Sequence, residues 1–118
     1  EKRVLQERQR RLALGFDYDF GDARGVHRIG TTDADMAGWD EVTKIAQALI
    51  NGGFGSTTID IVTDTGPATV TAVEWQSILI AAGQFRQPIW AASFALQALA
   101  ATTGIPVDFT DDSYWTAP

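Results

Sequence analysis

The chain has 118 residues, of which 45% are apolar and 20% charged, with fifteen acidic against nine basic side chains and a formal net charge of −6 at pH 7. That length admits one domain with a real core, and the composition is globular rather than fibrous or disordered. Without a cysteine, disulfides and thiolate metal sites are excluded. No apolar run reaches the roughly 18 residues that span a bilayer, so no membrane insertion is expected.

The charge is unevenly spread. Lys2, Arg3, Arg8, Arg10 and Arg11 face only Glu1 and Glu7 in the first eleven positions, a local charge of +3. The remainder holds four basic and thirteen acidic residues, or −9. An acidic body repels phosphate backbones, so nucleic acid is not an expected partner of the domain. The chain opens on Glu1 rather than Met, as expected of a processed product or a fragment of something longer.

Residues 1–14 are good helix formers without Gly or Pro, and Gly15 can stop them. Their apolar positions (Val4, Leu5, Leu12 and Leu14) are sparse, which predicts a helical arm that needs a partner, from another chain or its own. Phe16, Tyr18 and Phe20 then alternate with Asp17 and Asp19, a half-buried strand. Gly21 to Gly25 reads as a turn and Val26 to Ile29 as the returning strand of a hairpin. Thr31-Thr32-Asp33 offers caps for a helix running to about Ile50, with Met36, Trp39, Val42, Ile45, Ala46 and Leu49 at helical spacing. Asn51-Gly52-Gly53 ends it.

Thr57 to Thr63 alternates again, Ile59 and Ile61 on one face. Asp64-Thr65-Gly66-Pro67 is turn chemistry, and Ala68-Thr69-Val70 returns as a short second hairpin. Thr71 with Glu74 forms a capping box that announces a long helix from about Ala72 to Ala101. That helix is apolar almost all round, so it must be covered on several sides, in part by another subunit. Pro88 should kink it, or split it near Phe85. The fold expected is therefore α+β: a helical arm (1–14), a compact domain with two hairpins, a helix and a long kinked C-terminal helix (15–102), and an irregular docking tail (103–118).

The search for chemistry finds no catalytic residue, no metal ligand set and no cofactor motif. His27 is the only histidine and lies in a strand without a matching Ser motif. Asp17 to Asp22 superficially resembles a calcium loop, but its glycine falls one place early and Arg28 stands where the closing Glu belongs. Gly52-Gly53-Phe54-Gly55 lacks the Lys-Ser/Thr of a phosphate loop. Asp108, Asp111 and Asp112 form no fixed acid–base pair. The candidate residues are instead those of an interface: Arg8, Arg11 and Leu12 on the arm, Phe85, Ile89 and Trp90 on the long helix, and Tyr114 and Trp115 on the tail. The tail aromatics either dock in a partner's pocket or fold back on their own helix.

Arg11-Leu12-Ala13-Leu14-Gly15-Phe16 leading into an aromatic hairpin, then Val26-His27-Arg28-Ile29-Gly30-Thr31-Thr32-Asp33, resembles the start of an uncharacterised domain of bacteriophage tail and tail-fibre proteins. Thr69-Val70-Thr71 before Glu74, Ile80-Ala81-Ala82-Gly83-Gln84, and Ile89 to Leu96 are similar too. The resemblance implies a virion component of a fibre, baseplate or distal tail, bound to other tail or fibre proteins, and no catalytic residue to carry over. Phage fibres are commonly trimeric, so it also implies a homo-oligomer, with a trimer as the expected state. Pro88 and the aromatic acidic tail depart from the pattern. Two alternatives stay open: a receptor- or glycan-binding tip, with exposed Trp39 or Trp115 stacking on sugar rings, and a fibre-assembly chaperone.

Overall fold

The computed structural model describes residues 1–116, so the last two positions of the expected tail lie outside the described residues. The chain runs α1 (Lys2–Leu12), β1 (Phe16–Asp19), β2 (Val26–Ile29), α2 (Asp33–Asn51), β3 (Thr58–Thr63), β4 (Gly66–Thr71) and α3 (Ala72–Leu99), and ends in a 3-10 turn, Asp112–Tyr114. It is the α+β arrangement expected, with two small antiparallel hairpins and a long C-terminal helix.

Local chemistry explains most boundaries. The Glu1 carboxylate caps α1 by accepting from the Arg3 N–H. Gly15 turns the chain into β1 at φ +76°, where a Cβ would sit 2.5 Å from the Ile29 carbonyl oxygen, so only glycine fits. Its N–H donates to the Thr31 hydroxyl, which in turn donates to the Leu12 carbonyl, stitching the end of α1 to the entry of α2. Reciprocal capping boxes start both longer helices, Thr32 with Asp35 and Thr71 with Glu74. Gly53 at φ +84° follows the end of α2.

The first hairpin pairs Phe16 with Ile29 and Asp19 with Val26. The second pairs Thr58 with Thr71 through Thr63 with Gly66, so Asp64-Thr65 alone makes the turn and β4 begins two residues earlier than Ala68. Isolated two-stranded hairpins are marginal in water. Here the Asp64 N–H donates to the Arg28 carbonyl, the Arg28 N–H donates to the Thr65 hydroxyl, and the His27 ring nitrogen meets the Thr63 hydroxyl at 2.8 Å, joining the two hairpins side by side.

Two buried clusters lie along α3. Its N-terminal half brings Ala72, Trp75 and Ile78 against Ile29, Ala46, Ile61 and Val70. Its C-terminal half brings Ile89 and Leu96 against Val4 and Leu12 of α1 and Phe109 and Trp115 of the tail. Segments 1–14 and 103–116 thus pack together on one half of α3 instead of projecting from the domain. Two cores strung along one helix give a body of 53 × 28 × 26 Å with a radius of gyration of 17.1 Å, against about 13–14 Å for a compact chain of this length.

Of the two outcomes expected at Pro88, the split near Phe85 does not occur: α3 runs unbroken from Ala72 to Leu99. Proline removes one helical hydrogen bond and crowds the preceding turn, and the burial of Ile89 beside it helps hold the segment in place. Within α2, Ile45 is exposed, and the inner face is made by Trp39, Val42, Ala46 and Leu49.

One ion-pair cluster ties the first hairpin to α3. Arg24, in the β1–β2 loop, donates to Asp22, to the Glu74 carboxylate and to the Thr69 carbonyl, with its guanidinium 4.5 Å from the Phe20 ring centre. Hydrogen bonds from Arg24, then the Thr71 N–H, hold the Glu74 carboxyl below its ordinary range, while Arg24 pulls Asp22 down to about 2. Carboxyls depressed on folding stabilise the protein above their ordinary pKa values, and that stabilisation is lost as pH falls through the folded values. The midpoint of urea denaturation should therefore stay level near neutrality and fall between about pH 4.5 and about 2. In Arg24→Ala the midpoint at pH 7 should be lower and the acid fall shallower. A variant curve parallel to the wild type throughout would show that Arg24 is not the source.

Candidate functional site

The eight positions expected at an interface gather around the C-terminal half of α3, and much of their contact is with one another. Val4, Glu7, Arg8, Arg11 and Leu12 share the inner face of α1 by their helical spacing. Arg11 is 8% exposed; it donates to Glu7 at 3.0 Å, to the Thr110 carbonyl at 2.7 Å and to Asp112 at 2.8 Å, and lies 5.2 Å from the Trp115 ring centre. Trp115 is 3% exposed and donates its indole N–H to the Phe109 carbonyl. Arg8 sits 4.3 Å from the Trp90 ring centre and donates to the buried Ser93 hydroxyl, while its Nε is buried without a hydrogen-bond partner among the described residues. Arg3 lies 5.7 Å from the Phe109 ring centre.

The thin apolar stripe of the arm is thus completed by arginines laid on aromatic rings. Such contacts are worth on the order of 0.5–2 kcal/mol each, and the arginine stems add apolar cover. Leu5 and Leu14, read as part of the arm's apolar set, are exposed. Hydrogen bonds from Arg10, followed by the charges of Arg10 and Arg11, hold the Glu7 carboxyl below its ordinary range.

Leu12 and Ile89 are buried in the same core. Phe85 is half-buried and stacks on Phe16 at 5.6 Å, and Tyr114 donates its hydroxyl to Asp108. The alternative left open for the tail therefore resolves in cis: Trp115 folds back on its own helix. Buried at 3%, it cannot stack on a sugar, and that part of the receptor reading is corrected.

At the other end of the molecule Trp39 is half-buried in a cleft of about 280 Å³ between α2 and β3, with Gly30, Asp35, Asp60 and Trp75 among its walls. Its ring meets Trp75 edge-on at 5.1 Å. Other polar wall groups are already engaged: Asp35 caps α2, Asp60 accepts from Thr69, and Trp75 donates to Thr43. Elsewhere, of the carboxylates that resemble a calcium loop, Asp17 is held by Arg28 and Asp22 by Arg24, while Asp19 accepts from the Gly21 N–H. His27 lies edge-on to Phe20.

The excess apolarity of α3 falls on its outer face. Val73, Ile80 and Phe94 are 55%, 64% and 57% exposed. The only charged residues of α3, Glu74 and Arg86, turn toward the chain itself, to Arg24 and to the Leu12 carbonyl. The outer face of a 28-residue helix is therefore uncharged. No helix among the described residues is long and apolar enough to cross a membrane. Compared with known proteins, the chain matches no family model, no curated protein and no solved structure.

Trp115→Ala should cost about 3 kcal/mol or more, as large aromatic truncations in cores do. Hydrogen exchange should then show lost protection in α1 and the C-terminal half of α3, while α2 and β3–β4 stay protected. Unchanged protection in α1 would mean that the tail does not clamp the arm.

Proposed function

We propose that this chain is a non-enzymatic structural domain that joins a larger assembly through the uncharged outer face of α3. The exposure of Val73, Ile80 and Phe94 along a single face carries this reading. Large apolar side chains exposed along one uncharged face mark a contact surface, and their burial gains stability only when a partner removes them from water. The arm and tail, the other two candidate surfaces, spend much of their contact area on each other. On the sequence resemblance we take the assembly to be a bacteriophage tail, with other tail or fibre proteins as partners and the virion as its location.

The double variant Ile80→Glu with Phe94→Glu tests it. Both side chains are exposed, so the fold should survive with little change in stability. Incorporation into purified particles, read by quantitative mass spectrometry, should fall at least about tenfold, since 1.4 kcal/mol is a factor of ten. Wild-type incorporation of the variant would overturn the reading. Absence of the wild-type chain from particles would favour the chaperone alternative.

A second reading has the Trp39 cleft in its favour: a half-buried indole beside two carboxylates in a cavity of about 280 Å³ suits one sugar ring. Trp39→Ala should then abolish binding on a glycan array. Binding that is absent in the wild type, or that persists in the variant, ends it.

A further inference from the structure

We infer that the outer face of α3 pairs with the same face of a second copy of this chain, the two helices running antiparallel about a two-fold axis between Gln84 and Gln87. This rests on the reading of that face as the attachment surface and names its occupant.

Apart from Ala95, the exposed positions of α3 recur at alternating steps of four and three residues from Val73 to Ala98. That is a seam with a period of 3.5, the spacing at which two helices keep one face in contact along their length. Its two kinds of position differ in size. One set is Val73, Ile80, Gln87 and Phe94; the other is Ser77, Gln84, Ala91 and Ala98. Antiparallel pairing sets each member of the first against a member of the second. Val73 meets Ala98, Ile80 meets Ala91, Phe94 meets Ser77, and Gln84 meets Gln87, whose amides can hydrogen-bond each other. Each bulky apolar side chain thus faces a small one, which fills space without voids or overlap.

Parallel pairing, including the expected trimer, sets like against like. Phe94 would crowd Phe94, while the Ala91, Ala98 and Ser77 layers would leave gaps. The two-fold arrangement is also self-complementary, as an isologous interface requires. Electrostatics permits it, because the seam carries no charge although each copy carries −6. The seam rises about 37 Å and is about 10 Å wide, a footprint of about 400 Å² per copy. That size belongs with weak interfaces, so the isolated chain should show a monomer–dimer equilibrium at concentrations on the order of 10–100 µM, strengthened by salt that screens the like net charges.

Two single-cysteine variants test orientation and register, and the chain has no cysteine to interfere. Under mild oxidation a mixture of Ile80→Cys and Ala91→Cys should yield mixed disulfide dimers, at least tenfold above the self-linked dimers of either variant alone. Sedimentation of the wild-type chain should show dimer growing with concentration, and Ile80→Glu with Phe94→Glu should abolish it. Preferential self-linking of each variant, or a wild-type chain that stays monomeric at millimolar concentration, overturns the pairing. A monomeric wild type whose particle incorporation still depends on Ile80 and Phe94 would fail this inference and leave the attachment reading standing. A dimer that forms while the glutamate variant incorporates normally would support the pairing and sink attachment.

Discussion

The structure depends on covering one helix. α3 carries 28 residues with two charges among them, far more apolar surface than any single neighbour can remove from water. The chain divides the task. The two hairpins and α2 close on its first half, around Trp75 and Ile78, and the arm and tail close on its second, around Ile89 and Leu96. The elongated shape follows, because two cores on one rod cannot be folded into a sphere. The third side faces outward and leaves Val73, Ile80 and Phe94 exposed.

The second core is unusual in how it is built. An arm with five basic residues in eleven positions makes a poor hydrophobic helix. It nevertheless packs along α3, its arginines presenting flat, weakly hydrated guanidinium groups to Trp90, Trp115 and Phe109. Arg11 is the centre of that contact, since it holds Glu7, Asp112 and the Thr110 carbonyl at once. The same contacts engage Arg8 and Arg11, while Lys2, Arg3 and Arg10 remain exposed. The charge asymmetry of the sequence is thus met in part within the molecule, at Arg11 with Glu7 and Asp112.

Arg24 plays the matching part in the first core. It links the β1–β2 loop to the capping carboxylate of α3, so the start of the long helix and the position of the first hairpin are set together. The Trp39 cleft lies beside this unit, and most of its polar groups already serve local structure.

The sequence alone determined the elements. Thr71 with Glu74, Thr32 before Asp35, the alternation of Thr58 to Thr63 and the glycines after α2 act through bonds between residues a few positions apart, so local spacing is enough to read them. The excess apolarity of α3 was legible for the same reason. Only the tertiary structure decided where that excess is covered. Arg11 reaches the Thr110 carbonyl across 99 positions and Arg8 reaches Ser93 across 85, and no periodicity records such distances. Cation–aromatic packing also hides from hydropathy, because a charged residue on an inner face reads as a solvent-facing one. For that reason the sequence does not decide whether Trp115 docks in cis or in trans and the fold does, while the outer seam of α3 is defined only once its other faces are filled.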